Sequence, residues 1–127
     1  MNEHTISRIA IYILSIVMII FGITHFLQPK SLLNYVPSFL PGGIIWVYLV
    51  GAAFILAALS FVLNKQVRLA GWLLAIMLFI FVLTVHLPNF MDAGEAEMKQ
   101  QALVNMLKDS ALAAFALHIA SNAKTVG

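Results

Sequence analysis

Lys108 and Asp109 are adjacent ionisable residues inside an otherwise apolar stretch that runs from Leu103 to Ala120. An ionisable side chain at the centre of a membrane-spanning helix costs about 2.5 to 3.5 kcal/mol on insertion scales, so two neighbouring ones require a partner, water or a shallow position. Three interpretations of this pair are open. It holds the polar head of a ligand, it forms an ion pair that fixes helix packing, or it is solvated at the membrane interface.

The composition places almost the whole chain in a membrane. Its 127 residues are 62% hydrophobic and 9% charged, with a mean hydropathy of +0.99, whereas soluble domains carry about 25% charged residues. The net charge is +2, and the basic residues form no stripe along the sequence, so we expect no nucleic-acid partner. Because the chain contains no cysteine, it cannot itself hold a disulfide relay or a thiolate metal site. Any redox role therefore depends on a bound cofactor or a partner subunit.

Four apolar runs are long enough to cross a bilayer, because a transmembrane helix needs about 20 residues. They cover residues of about 9–26, 44–63, 69–87 and 103–121. The runs are too continuous in apolarity for barrel strands, and the first is longer than a signal peptide requires, so we expect it to stay in the mature protein. The sequence predicts an all-α fold, a single antiparallel transmembrane four-helix bundle over residues 1–127.

The segment between the first two runs is interrupted by Pro29, Pro37 and Pro41. Its apolar residues recur at helix-like spacing, which predicts a short interfacial or re-entrant helix. The positive-inside rule favours cytoplasmic N and C termini, and the membrane that we expect is the inner membrane of a bacterium. The basic residues that this orientation puts on the cytoplasmic side are Arg8, Lys65, Arg68 and Lys124.

Alternating helix directions bring one end of each span to the same face of the membrane, and the polar residues near that face predict a pocket under the outer headgroups. We expect Asp109 to accept a hydrogen bond from His25 or His86, with neutral donors nearby. Each histidine has a structural alternative, in which it only caps backbone carbonyls. We predict no metal site, because no ligand-spacing motif accompanies these residues. The candidate ligand-binding residues are His25, Tyr48, His86, Asn89, Asn105, Lys108 and Asp109.

Several short strings, in order along nearly the whole chain, resemble the DoxX family of small four-helix membrane proteins. They are Gly22 to Pro29, Val36-Pro37, Val47 to Gly51, His86 to Asn89 and Lys108 to Leu112. The resemblance implies a four-helix transmembrane bundle. It also implies links to quinone-coupled sulfur oxidation, to a membrane complex that handles oxidative stress, or to assembly of membrane receptors. The chain departs from the family pattern at Phe54, where relatives often place an acidic residue.

Two functions from different classes follow from these observations. In the first, a quinone, a lipid or a similar amphiphile binds in the polar pocket, with the chain acting as a subunit of a membrane oxidoreductase complex. His86 or His25 would then carry protons, since the unperturbed pKa of an imidazole is about 6.5. In the second, the chain is a non-enzymatic accessory or assembly factor, and the polar cluster is structural. Its partners are the bilayer and either a larger membrane protein or further copies of itself. The sequence contains no self-contained active site that would establish an enzyme.

Overall fold

The computed structural model describes residues 2–123, apart from the side chain of Asn34, and in that range it is mainly helical and has no β-strand. Four stretches are long and apolar enough to cross a membrane, as expected of a multi-pass membrane protein, and the third, Val67–Asp92, is a continuous rod. The prediction of an all-α four-helix bundle is confirmed. In chain order the elements are α1 (Glu3–Leu27), α2 (Pro29–Leu32), a 3-10 turn (Leu33–Tyr35), α3 (Ile44–Leu63), α4 (Val67–Phe81), the π turn (Val82–His86), α5 (Leu87–Asp92) and α6 (Ala96–Asn122).

The bundle is built from two antiparallel pairs, in which α1 packs on α3 and α4 packs on α6. Arg8 near the start of α1 donates to the carbonyl of Phe61 near the end of α3, at 3.4 Å, which shows the opposite directions of the first pair. Small residues permit the close approach: a Cβ on Gly71 would lie 2.8 Å from the carbonyl oxygen of Ala116. Lipid tails are as apolar as leucine, so such backbone proximity and van der Waals packing hold membrane helices together.

The crossing of α1 and α3 is equally tight and bears on the position of a histidine. A Cβ on Gly51 would lie 2.7 Å from Cβ of His25 and 3.0 Å from the carbonyl oxygen of Gly22. The absence of a side chain at position 51 therefore sets how closely His25 approaches α3. A core of buried residues then joins the two pairs, and its fully buried large members are Met18, Phe61 and Leu78.

Two helices begin ahead of the apolar runs that predict them. Asn2 caps α1 by accepting a hydrogen bond from the Thr5 N–H at 2.8 Å, so α1 begins at Glu3, ahead of the first apolar run. The helix α6 starts at Ala96, where exposed residues of good helix propensity precede the apolar run. Hydropathy detects the part of a helix that is apolar, whereas caps and propensity decide where the helix begins.

The segment between α1 and α3 contains the short helix that the spacing of its apolar residues predicts, and it packs against both of those helices. It ends in Gly42 and Gly43, whose φ angles of 93° and 39° are strained for residues with a side chain. Trp46 links the end of the segment to α3, because its indole Nε1 donates to the carbonyl of Pro41 at 2.7 Å. At the other end of the chain, Lys124, one of the charges used to predict orientation, lies outside the described residues.

Candidate functional site

A cavity of about 570 Å³ lies between the two helix pairs, at the end of the bundle where the α1–α3 segment crosses. Ligand sites typically measure about 300–1,000 Å³ and are lined mainly by apolar side chains with a few polar groups. This cavity has that character, since its walls include Val47, Val50, Ile80, Phe81 and Val85, and the α1–α3 segment contributes Leu32, Tyr35, Val36, Pro37, Phe39 and Leu40.

His86 and Asp109 form the most buried polar contact on the cavity wall. Nε2 of the imidazole lies 2.7 Å from Oδ2 of the carboxylate, and the two residues are 7% and 4% exposed. When the carboxylate of Asp109 is ionised it can only accept hydrogen bonds, and Nε2 of His86 is then the donor. The other ring nitrogen of His86, Nδ1, is buried and has no hydrogen-bond partner among the side chains and backbone that the structure describes.

The π turn orients His86 toward α6. Proline lacks an N–H, and its ring clashes with the carbonyl four residues earlier, so Pro88 disfavours regular α-helix just before it. The chain responds with a wider turn, in which the Leu87 N–H bonds to the carbonyl of Val82. One extra residue in a turn rotates every later side chain around the helix axis, and π turns occur often at functional sites.

Lys108 lies on the other side of the carboxylate and connects the two helix pairs. Its Nζ is 3.5 Å from Oδ1 of Asp109 and 4.9 Å from the centre of the Phe21 ring on α1. The lysine side chain is 43% exposed, so this contact is less enclosed than the one with His86. Asp109 thus has a short, buried hydrogen bond on one side and a longer, less enclosed ionic contact on the other.

His25 lines the same cavity but is not bonded to Asp109. Its Nδ1 lies 2.6 Å from the carbonyl oxygen of Phe21, one helical turn earlier, and its ring centre is 5.6 Å from that of Phe54. Of the two expected partners for the carboxylate, the structure therefore joins His86 to Asp109, whereas His25 bonds to a backbone carbonyl. Phe54, the position where the DoxX-like pattern has an acid, is buried and supplies an aromatic wall.

Three further candidates occupy different places. Asn105 lines the cavity and accepts from Nε2 of Gln101 at 3.3 Å. Tyr48 and Asn89, which we expect in the pocket, lie outside it: Tyr48 is exposed and stacks on Phe26, with ring centres 5.6 Å apart, and Asn89 is exposed on α5. Both are near the predicted end of the bundle, but successive residues of a helix point about 100° apart, and depth alone does not determine direction.

Sequence reasoning missed the aromatic groups that surround the polar ones. The ring of Tyr35 approaches that of His86 edge-on, with centres 6.1 Å apart. The rings of Phe21 and Phe54 lie 5.9 Å apart. The only available signal for Tyr35 is its place in the helix-like spacing of the α1–α3 segment. Within residues 2–123, no three side chains of His, Cys, Asp or Glu are close enough to share a metal ion.

Comparison with curated protein sequences and with solved structures finds no match. A family model described as a domain of unknown function, DUF8561, matches residues 14–120 and so covers all four long helices in large part. The matched range includes both partners of the buried pair and every residue that lines the cavity. The chain therefore belongs to the DUF8561 family.

Proposed function

We propose that this membrane protein binds an amphiphile, such as a quinone or a lipid, with its apolar body between the helices and its head at the polar wall of the cavity. The observation that carries this proposal is the buried His86–Asp109 pair beside an apolar cavity of about 570 Å³. Lys108 and His25 supply two further polar groups on the same cavity.

A purely structural role explains the buried pair less well. Replacing a buried ion pair by apolar residues of similar volume is often neutral or stabilising, so such a pair is weak evidence for stability. The pair borders open space, and Nδ1 of His86 is left without a partner in the described part of the chain. Polar groups converging on an apolar cavity are typical of a ligand site.

The resemblance to the DoxX family supports a quinone as the amphiphile and a place in a membrane oxidoreductase complex. In that case the proton route runs through His86 and Asp109 or through His25, because the position of Phe54 offers no carboxylate. The distribution of basic residues supports a bacterial inner membrane with both termini in the cytoplasm. The cavity would then open beneath the outer headgroups, within reach of a lipid-soluble ligand.

The second candidate is a non-enzymatic accessory or assembly factor. The observation that favours it is the position of Lys108, which joins α6 to Phe21 of α1 and so braces one helix pair against the other. In this role the polar cluster only holds the bundle together, and the partner is a larger membrane protein or another copy of the chain.

Copurification tests the proposal. The protein is purified from native membranes in a mild detergent, and bound quinones and lipids are identified by mass spectrometry, for the natural sequence, for Asp109→Asn and for Tyr48→Phe. Because Tyr48 lies outside the cavity, Tyr48→Phe controls for general effects of substitution. We expect one amphiphile in near-stoichiometric amount, lost with Asp109→Asn and kept with Tyr48→Phe. An unchanged lipid profile in Asp109→Asn, together with a lower melting temperature, would favour the structural role.

A further inference from the structure

We infer that the head of the ligand carries a hydroxyl group, which donates a hydrogen bond to Nε2 of His25. The inference rests on the proposed function and specifies the chemical class of the ligand: a phenol or a hydroquinone binds better than the corresponding ether or quinone. It follows because most N–H and O–H groups of the cavity already donate to backbone carbonyls or to the Asp109 carboxylate.

The tautomer of the neutral His25 ring follows from its backbone partner. A carbonyl oxygen can only accept a hydrogen bond, so the contact of 2.6 Å between Nδ1 and the oxygen of Phe21 requires the proton to be on Nδ1. In the neutral ring, Nε2 then has a lone pair and no hydrogen. No side chain that the structure describes bonds to Nε2, and His25 lines the cavity. This nitrogen therefore offers a ligand an acceptor.

The same argument applies to the second imidazole. Because Nε2 of His86 donates to Asp109, the neutral ring has its lone pair on Nδ1. Nδ1 has negligible contact with open space, so it is not the first atom that a ligand reaches. Both histidines nevertheless have donors engaged by the protein and acceptors left over.

The two threonine hydroxyls and the indole N–H of the cavity already donate to backbone carbonyls. Thr24 donates to the carbonyl of Ile20 at 2.8 Å, and Thr84 donates to that of Ile80 at 2.7 Å. Trp46 donates to Pro41. Each threonine oxygen can still accept a hydrogen bond but has no second hydrogen to give. The two threonine hydroxyls thus offer a ligand acceptors only.

Among the side chains that the structure describes, the donors that remain on the cavity are the ammonium of Lys108, the amide of Asn105 and the hydroxyl of Tyr35. His25 and Lys108 flank one residue, Phe21, since its carbonyl bonds the imidazole and its ring lies under the ammonium. A hydroxyl oxygen can accept from an ammonium and donate to an imidazole, whereas a quinone carbonyl or an ether oxygen can only accept. A head that only accepts leaves the His25 acceptor unsatisfied and desolvated, which is costly.

The first measurement compares 4-octylphenol with 4-octylanisole, its methyl ether. The two probes share their apolar body and differ in one donor. Binding to the full-length protein in lipid nanodiscs is measured by isothermal titration calorimetry, with empty nanodiscs subtracted. We expect the phenol to bind about tenfold tighter, the effect of one hydrogen bond to an otherwise unpaired group. A matched hydroquinone and quinone with one tail should show the same order under reducing and oxidising conditions.

Two variants test whether His25 is the acceptor. His25→Asn retains an amide N–H that can donate to the carbonyl of Phe21 but lacks the second nitrogen, so the preference for the phenol should disappear. His25→Gln extends an amide oxygen toward the position of Nε2 and should restore part of the preference. A preference that is unchanged in a folded His25→Asn protein would overturn the assignment to His25.

The outcomes separate this inference from the proposed function. Equal, saturable binding of phenol and ether to the natural sequence overturns the hydroxyl requirement and leaves amphiphile binding intact. Absence of binding of both probes above empty nanodiscs counts against the cavity as a ligand site altogether. Because the comparison of the probes uses the natural sequence, it remains decisive even when a His25 variant does not fold.

Discussion

Nε2 of His86 lies 2.7 Å from Oδ2 of Asp109, and this contact ties the π turn of the third membrane-spanning rod to α6. Both groups are buried. Substituting one partner or both therefore separates the cost of an unpaired buried group from the net contribution of the pair to stability. A buried donor left without its acceptor costs about 1–3 kcal/mol, whereas replacing both partners by apolar groups can be nearly neutral.

For this reason Asp109→Ala should lower the free energy of unfolding by about 1–3 kcal/mol, since it leaves the His86 N–H without its acceptor. The double variant Asp109→Leu/His86→Phe should recover most of that loss while losing the ligand. Denaturant unfolding in detergent, followed by circular dichroism, measures both quantities. A double variant as unstable as the single one would mean that the pair itself makes a large net contribution to stability.

Gly51→Ala should destabilise the α1–α3 pair and disturb the cavity together. The added Cβ would meet Cβ of His25 at 2.7 Å, so α1 must shift. Overpacking of this kind costs about 1–3 kcal/mol, and the shift should also weaken phenol binding. Gly94→Ala is the matched control, because a Cβ there has no neighbour within 4 Å. Equal melting temperatures for the two variants would contradict the close crossing of α1 and α3.

Trp46→Phe should loosen the segment that covers the cavity. The indole N–H that holds the Pro41 carbonyl is lost, and one such hydrogen bond contributes about 0.5–1.5 kcal/mol. Hydrogen exchange measured by mass spectrometry should accelerate over residues 36–43. Trp72→Phe serves as the control, since Trp72 is half exposed on α4 and lies outside the cavity. Exchange that is equally fast in both variants would argue against a specific role for the Trp46 contact.

Cysteine labelling tests the orientation. Because the natural chain contains no cysteine, an introduced cysteine is the single site of labelling. With cytoplasmic termini, Lys65→Cys faces the cytoplasm and Gly94→Cys faces outward, because they lie at opposite ends of the third membrane-spanning rod. A membrane-impermeant maleimide applied to intact cells should label Gly94→Cys only, and permeabilised cells should label both. The reverse pattern would invert the orientation and put the cavity on the cytoplasmic side.

Local properties of the chain are sufficient to predict the bundle. The length of an apolar run and the need to satisfy every backbone N–H and C=O in lipid lead directly to helices, so the four rods follow from residues near one another in sequence. The adjacent Lys108 and Asp109 likewise indicate a candidate site from the sequence alone, because the transfer of ionisable residues into the membrane has a high free-energy cost.

The partners of those residues are a property of the folded bundle alone. Whether Asp109 meets His25 or His86 depends on the rotation of each helix about its axis, which the π turn before Pro88 and the close crossing at Gly51 set. Tyr48 lies near the predicted end of the bundle but outside the cavity, whereas its neighbour Val47 lines the cavity. Hydropathy along the chain predicts how far along a helix a residue lies. The direction of its side chain around the helix axis is set by packing between helices that are distant in sequence.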